Sequence, residues 1–278
     1  MYSEAVRDSD SARGPTAVAV VATAVVRAPV APMLSEPHVT AGQVSQQLAG
    51  HGVEIVDDSG DWLLVRGADE YEGWMHRGYL ARGTLRIDGG QKEAVRRVSL
   101  GCVTRGSDGV RRALPLRAIL APEEAVEEGE VIDTSDVRTR FPTNAAAITR
   151  SAVDLFVGTS YQWGGITPWG GDCSGLVQSV FALHGVPLPR DAWQQARAGR
   201  DAGRRLDGLE TADLLFFSDR ADGHITHVAI ALGDGRLVHL ALGRGGYAVE
   251  CLDDARDAYV AKLRQRFLFA RRVLNAES

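Results

Sequence analysis

The sequence Gly-Gly-Asp-Cys-Ser-Gly at residues 170–175 places a cysteine where its sulfur could act as a nucleophile. Cys173 follows a loop rich in Gly, Pro and Trp, and the residues after it, 174–184, are predicted to form a helix. The free N–H groups and positive dipole end of a helix N-terminus favour thiolate over thiol. Two histidines, His227 and His239, follow in a strand-like region, and this combination indicates covalent catalysis by an activated cysteine.

The elements that must hold these side chains lie in residues 145–278. Residues 145–157 have the pattern of an amphipathic helix, and residues 191–199 are a candidate for a further helix. Strands are predicted at 214–217 and 228–232, and from 237 onward. The turn Gly233-Asp234-Gly235 predicts a hairpin that leads into the strand carrying His239. Helices followed by strands predict an α+β fold for this part of the chain.

The preceding residues, 16–83, contain short β-prone runs separated by turns. Strands are predicted at 53–56, 62–66 and 71–76, with a polar turn at 57–61. Strands spaced this closely indicate a small barrel. Residues 84–135 are interpreted as a second, more degenerate small β domain, and residues 136–144 as a linker.

An acidic cluster in the second β domain is interpreted as a solvated face rather than a binding site. Its members are Glu123, Glu124, Glu127, Glu128 and Glu130. The chain as a whole carries a net charge of −5, which provides no basic surface for nucleic acid or anionic lipid. We therefore expect no nucleic-acid partner and no membrane association. No cofactor or resident metal is expected, and the oligomeric state stays open.

The three cysteines, Cys102, Cys173 and Cys251, are too few and odd in number for a disulfide framework, which indicates a reducing compartment or simply no need for disulfide bonds. The apolar run at 17–26 is too short to span a membrane, and its valine content suits a buried strand. Residues 1–15 mix acidic and basic side chains and are expected to be a loose tail rather than a basic leader. A cytoplasmic location is expected, with export to the cell envelope as the alternative.

Five motifs resemble, in order, those of the NlpC/p60 cysteine peptidases. They are Tyr161-Gln162-Trp163-Gly164-Gly165, Asp172-Cys173-Ser174-Gly175, Asp213-Leu214-Leu215-Phe216-Phe217, His227-Val228-Ala229-Ile230 and Val238-His239. The stretch from Gly60-Asp61-Trp62 to Gly73-Trp74 is similar to bacterial SH3-like domains. The resemblance implies a papain-like catalytic domain at 145–278, preceded by two SH3-like barrels. It also implies likeness to the γ-D-glutamyl-L-diamino-acid endopeptidases, which cleave cell-wall peptides carrying a free N-terminal L-alanine.

The resemblance implies a Cys-His-His triad, whereas spacing alone supports only a nucleophile and a base. Cys173 would be the nucleophile, and His227 the general base that takes the thiol proton and later protonates the leaving amine. His239 would fix the ring and tautomer of His227, the part that an aspartate or asparagine plays in other triads. Cys102 and Cys251 are expected to be packing residues.

The resemblance also implies a set of substrate-binding residues. The Tyr161 hydroxyl could donate to the developing oxyanion or position the substrate. Asp172 and Ser174 would receive the free α-amine, although Asp172 could equally do no more than cap the helix. Trp163 would be a pocket wall or a core residue. A carboxylate beside a nucleophilic thiol is otherwise awkward, because its charge raises the thiol pKa.

Two further candidates come from the first β domain, and one position departs from the family. Glu36 and Tyr71 match the surroundings of a glutamate and a tyrosine that close the pocket over the substrate N-terminus in relatives that carry SH3 domains. Relatives often have a serine after Pro-Arg-Asp, where this chain has Ala192. The departure bears on substrate contacts rather than on the chemistry.

The reaction predicted is hydrolysis of the amide between γ-D-glutamate and a diamino acid, through a thioester on Cys173. A roofed groove would restrict the substrates to short peptides with a free amine. Three alternatives stay open: a secreted autolysin acting on polymeric wall, a non-catalytic wall-binding protein, and a zinc site built from the same three residues. The sequence leaves the preferred diamino acid undetermined.

Overall fold

The computed structural model describes residues 22–82, 95–254 and 256–274. The tail predicted at 1–15, the beginning of the 17–26 run and the beginning of the second β domain lie outside the described residues. The described chain has a β-rich N-terminal part followed by an α+β part, which confirms the predicted fold class. The exact boundaries between the parts stay predictions.

The first sheet has seven strands. They are β1 (Ala22–Val26), β2 (Val30–Leu34), β3 (Gln43–Leu48), β4 (Gly52–Ser59), β5 (Trp62–Arg66), β6 (Glu72–His76) and β7 (Leu80–Arg82). The strand order is β3-β2-β6-β5-β4-β1-β7, and alternate side chains such as Val65 and Met75 fill its core. The turn predicted at 57–61 is shorter than expected, because β4 continues to Ser59. Gly60, with a φ of 69°, takes the left-handed conformation of this turn.

The second sheet contains three antiparallel strands among the described residues. They are β8 (Arg97–Arg105), β9 (Arg111–Leu114) and β10 (Ala125–Asp133), in the order β10-β8-β9. The acidic cluster falls on and before β10, and arginines oppose much of its charge. Glu127 accepts hydrogen bonds of 2.6 Å from Arg105 and from Arg111. The prediction of a solvated face is wrong for Glu124, which is buried and pairs with Arg112.

The remaining elements build the α+β part. They are α1 (Val137–Arg140), α2 (Ala145–Phe156), β11 (Ile166–Thr167), β12 (Gly170–Gly171), α3 (Cys173–Leu183), α4 (Ala192–Gln195), β13 (Arg200–Gly203), β14 (Leu214–Phe217), β15 (His227–Gly233), β16 (Arg236–Ala241), β17 (Gly246–Cys251), α5 (Ala258–Arg266) and β18 (Phe267–Arg272). Its six-stranded antiparallel sheet has the order β13-β18-β14-β15-β16-β17. Helix α3 packs on this sheet, with Val177 and Val180 in the same buried core as Val228 and Ile230. Because almost every residue of α3 is buried, it is the central helix of the domain.

The predicted linker at 136–144 is not an extended segment. It contains the one-turn helix α1, and Phe141 is buried in the core of the α+β part. The Asn144 side chain caps α2 by accepting a 2.9 Å hydrogen bond from the amide of Ala147. The helix predicted at 191–199 is also shorter than expected, since α4 has four residues.

Polar contacts attach the first sheet to the α+β part. Gln43 Nε2 donates to the Trp163 carbonyl at 2.8 Å, and Gln46 Oε1 accepts from the Ile166 amide at 3.1 Å. Gln178 Nε2, on α3, donates to Asp69 Oδ2 at 2.8 Å. These contacts hold the first β domain against α3 and against the loop before Cys173. Within 22–82, 95–254 and 256–274, no helix combines the length and hydropathy needed to cross a bilayer.

Candidate active site

A cavity of about 540 Å³ lies between the first sheet and the α+β part. Cys173, His227 and Tyr161 line it from the α+β part, whereas Tyr71 and Val44 line it from the first sheet. Cys173 is the first residue of α3, as predicted, and it is 7% exposed. The predicted nucleophile therefore sits at the edge of a cleft that two domains form together.

The expectation that the helix N-terminus would make Cys173 a thiolate is wrong for the unliganded protein. Burial, and next to it the negative charge of Asp172, raises the pKa of the Cys173 thiol to about 12. The backbone N–H groups of Ser174 and Val228 act in the opposite direction but are outweighed. The cysteine is therefore a thiol at neutral pH, and attack on a carbonyl requires a base beside it.

The two histidines lie on adjacent antiparallel strands, as predicted. Strands β15 and β16 pair with Ile230 opposite Val238. The connecting turn brings the ring centres of His227 and His239 to a distance of 5.0 Å. His227 Nε2 and His239 Nδ1 are 2.9 Å apart, a hydrogen-bond distance. His227 lines the cavity, whereas His239 is fully buried behind it.

The environment of His227 keeps its ring neutral. Burial is the main cause that lowers the pKa of His227 well below its ordinary value of 6.5, and the charges of His239 and Arg266 lower it further. A neutral imidazole can accept a proton, so at pH 7 this side chain is in the state that a general base requires.

Asp172 caps α3 and is also half of a buried ion pair that the sequence analysis missed. Its Oδ1 accepts from the Gly175 amide at 2.7 Å, which confirms the capping interpretation. Arg190 donates to both of its carboxylate oxygens, at 3.0 and 2.6 Å. Arg190 is 1% exposed and also donates to Ser174 Oγ at 2.8 Å. The cation that the sequence suggested for Asp172 is therefore already present in the protein.

The remaining predicted binding residues of the α+β part lie around the cavity. Ser174 is buried and donates to Asp172 Oδ1 at 3.2 Å. Tyr161 lines the cavity, and burial raises the pKa of its hydroxyl, which stays a donor. Trp163 lines it too and is 66% exposed, so it is a wall at the mouth rather than a core residue.

The two candidates from the first β domain have different outcomes. Tyr71 lines the cavity and donates from its hydroxyl to Asp191 Oδ1 at 3.3 Å. Glu36 is not among the residues that line the cavity; its side chain is 53% exposed and lies 3.5 Å from His38. The structure therefore brings Tyr71, but not Glu36, into the site. Ala192 also lines the cavity, directly after Asp191.

Two carboxylates near the site were not among the residues predicted from the sequence. Asp191 lines the cavity, and burial raises its pKa, although the charge of Arg190 and the hydrogen bonds from Trp193 and Tyr71 act against the shift. Glu250, on β17, is buried 3.5 Å from His239 Nε2. The sequence signal for Asp191 was its position after Arg190 in the Pro-Arg-Asp segment; Glu250 stood in no motif.

The other cysteines are unpaired. Cys102 is buried, as predicted for a packing residue, but Cys251 is exposed, so that prediction is wrong for Cys251. It is the last residue of β17. In the described part of the chain, no three His, Cys, Asp or Glu side chains converge as ligands of a metal ion would.

Comparison with known proteins agrees with both parts of this architecture. The profile of the NlpC/P60 family matches residues 158–263, and that of the bacterial SH3 domain matches residues 30–81. The chain is 30% identical over 239 residues to a gamma-D-glutamyl-L-lysine dipeptidyl-peptidase of Bacillus subtilis (strain 168), covering 79% of this chain and 78% of that protein. It is 27% identical over 263 residues to dipeptidyl-peptidase 6 of Lysinibacillus sphaericus, covering 85% and 94% of the two chains.

The fold has a close match among solved structures. The crystal structure of an NlpC/P60 family protein from Bacillus cereus matches with a TM-score of 0.75 over 91% of this chain and all of the other, at 20% sequence identity. At this identity the structural match shows the fold alone. The relatives found by sequence are named as peptidases. The chain therefore belongs to the NlpC/P60 family of cysteine peptidases and carries a bacterial SH3 domain in front of its peptidase domain.

Proposed function

We propose that this peptidase hydrolyses the amide bond between γ-D-glutamate and a diamino acid in short cell-wall peptides, with Cys173 as nucleophile. The observation that carries the proposal is the shared cavity, in which Cys173 and His227 face a wall contributed by the first β domain. The names of the relatives, among them a gamma-D-glutamyl-L-lysine dipeptidyl-peptidase, support the bond and the substrate class.

The geometry of the histidines supports a sequence of proton transfers. Since His227 Nε2 is engaged with His239, Nδ1 is the ring atom left to take the thiol proton. As the proton moves, the sulfur bonds to the carbonyl carbon, and the Tyr161 hydroxyl lies on the cavity wall as a donor for the oxyanion. The C–N bond then breaks, the leaving amine takes the proton from His227, and a thioester remains on Cys173.

Hydrolysis of the thioester completes the cycle with the same residues. His227 removes a proton from water, the resulting hydroxide attacks the thioester carbonyl, and the Cys173 sulfur leaves and recovers the proton. The products are the dipeptide L-Ala-D-Glu, with a free γ-carboxylate, and the diamino acid or the peptide that begins with it. His239 holds the ring of His227 throughout, as the third member of the proposed triad.

The carboxylate of Asp191 is proposed to receive the free α-amine of the substrate. Asp172 already pairs directly with Arg190, whereas Asp191 is a partly buried acid on the cavity wall; burial raises its pKa even though the charge of Arg190 acts against the shift. An ammonium group would supply the opposite charge that lowers the cost of burying this carboxylate. Tyr71 would then close the pocket above the amine through its contact with Asp191.

A preference for soluble fragments and a cytoplasmic location belong to the same proposal. Tyr71 and Val44 wall the cavity on one side, which favours a peptide end over a chain that continues into glycan. The three cysteines are unpaired, as is usual in a reducing compartment. Cell fractionation with antibody detection tests the location, and recovery of the protein in the envelope fraction would contradict it.

The test of the reaction is mass spectrometry of peptides incubated with the wild type and with Cys173→Ala. L-Ala-γ-D-Glu-diaminopimelate and its lysine analogue should both be offered, each also with an acetylated N-terminus. We expect release of L-Ala-D-Glu from a free-amine peptide by the wild type alone. Cleavage of acetylated peptides at equal rates would remove the free-amine requirement, and faster release from intact sacculi than from peptides would favour an autolysin.

A further inference from the structure

A buried carboxylate extends the histidine pair away from the cavity. Glu250 lies on β17, which pairs with β16 so that Ala248 is opposite His239. Glu250 is two residues further along and is therefore a diagonal neighbour of His239 on the same face of the sheet. Its Oε1 is 3.5 Å from His239 Nε2, and both side chains are almost fully buried.

The distance between Glu250 Oε1 and His239 Nε2 is longer than that of a short hydrogen bond, but this carboxylate oxygen is the acidic group beside Nε2. Among the described residues, the buried His239 Nε2 has no partner in hydrogen-bonding geometry, and Glu250 Oε1 lies 3.5 Å from it. Hydrogen bonds in active sites are often long before substrate binds and shorten when charge develops. Glu250 is therefore placed to accept the Nε2 proton of His239 when the histidines share a positive charge.

Arg244 holds the Glu250 carboxylate in place. Its Nε donates to Oε1 at 2.7 Å and its Nη2 to Oε2 at 2.9 Å. The same guanidinium also contacts Asp257 and lies 4.4 Å from the centre of the Tyr259 ring. Burial alone would raise the pKa of Glu250, but its contact with His239 and its hydrogen bonds from Arg244 lower it to about 2. The group is thus a fixed anion across the pH range in which enzymes work.

A fixed acceptor at Nε2 determines the tautomers of both histidines. With its proton on Nε2, His239 presents a lone pair at Nδ1, which accepts from His227 Nε2–H over 2.9 Å. His227 then carries its lone pair on Nδ1. The opposite tautomer of His239 would place a proton on Nδ1, so that His227 would have to carry its own proton on the atom that should accept from the thiol.

We propose that Glu250 is a positioning residue, which sets the tautomers of His239 and His227 and stabilises the imidazolium formed when Cys173 is deprotonated. The inference rests on the proposed role of His227 as the base. Glu250 does not touch the cavity; it acts through His239, as the carboxylate of a Ser-His-Asp triad acts through its histidine.

The first test is ¹⁵N NMR of histidine-labelled wild-type protein. We expect His239 to carry its proton on Nε2 and His227 to carry its proton on Nε2 as well. A proton on Nδ1 of His239 would overturn the proposal. The titration of the two histidines must be distinguished from that of the charged and titratable groups around them. These are Cys173, Arg244, Glu250, Tyr259 and Arg266. This measurement needs no turnover, so it stays informative if the proposed reaction fails.

The second test compares Glu250→Gln with Asp257→Asn in the full chain. Both variants remove a carboxylate from Arg244, but only Glu250 contacts His239, and an asparagine can still cap α5. We expect Glu250→Gln to lower kcat about 10- to 100-fold, by analogy with the loss of a carboxylate that orients a metal-ligating histidine, with little change in KM. Asp257→Asn should stay close to wild type. A wild-type kcat in Glu250→Gln, or an equal loss in both variants, would contradict a positioning role.

Discussion

Both terminal nitrogens of Arg190 donate hydrogen bonds to the carboxylate of Asp172, the residue directly before the predicted nucleophile. The pair is almost completely buried and is extended by the Ser174 hydroxyl and by Ser45 of the first β domain, which accepts from Arg190 Nε at 3.2 Å. One guanidinium therefore links the start of α3 to the neighbouring domain, and the position of Cys173 depends on it.

The buried pair predicts a large stability loss when its cation is removed. Arg190→Met leaves the Asp172 carboxylate buried without its partner, which is expected to cost about 3–5 kcal/mol of unfolding free energy. Urea unfolding followed by circular dichroism measures the loss. The matched control is Arg205→Met, which removes an exposed pair with Asp207 and should leave the urea midpoint unchanged. Similar midpoints for both variants would mean that the buried pair does not support the fold.

The lowered pKa of His227 predicts an activity that persists in mild acid. A base whose pKa lies well below 6.5 stays unprotonated as the pH falls through 6.5, and activity is lost only when the pH falls through the lowered pKa itself. The pH profile of kcat/KM on a free-amine peptide measures this limb. Half-maximal activity near pH 6.5 would show that His227 has an ordinary pKa and would contradict the effect of its burial.

Arg266 provides a separate test of the same electrostatics. Its positive charge lowers the pKa of His227, so Arg266→Gln should raise that pKa and move the acid limb of kcat/KM to higher pH. Arg264→Gln is the control, since Arg264 lies on the same helix but pairs with Asp253 and does not line the cavity. An unchanged acid limb in Arg266→Gln would show that the charge of Arg266 does not contribute to the lowered pKa of His227.

The hydroxyl of Tyr71 predicts a defect in substrate binding that depends on the free amine. Tyr71→Phe removes a 3.3 Å hydrogen bond to Asp191, a contact worth about 0.5–1.5 kcal/mol, and KM for free-amine peptides should rise about two- to tenfold. Tyr79→Phe is the matched control, because Tyr79 packs on the same β-domain core away from the cavity. Equal KM values for wild type and Tyr71→Phe would show that the Tyr71 hydroxyl takes no part in recognising the amine.

Local patterns in the sequence were sufficient to predict the elements that carry Cys173, His227 and His239. The apolar spacing after Cys173 predicted a helix, and α3 begins at that residue. The strand predicted at 214–217 and the hairpin that brings His227 and His239 together are present as expected. These features depend on periodicity and on turn residues, which act over a few positions of the chain.

Only the tertiary structure decided the charge environment of the site. Packing of distant segments brings three charged residues close to the cysteine and the histidines: Arg190, Asp191 and Glu250. No local sequence pattern predicts which charged side chains will be in contact in the folded protein. The same holds for Cys173 itself: its position predicted a thiolate, but burial in the folded domain makes it a thiol. The sequence determined the helix that begins at Cys173 and the strands that carry His227 and His239. The protonation states and the buried carboxylates follow from desolvation and long-range pairing, which exist only in the folded protein.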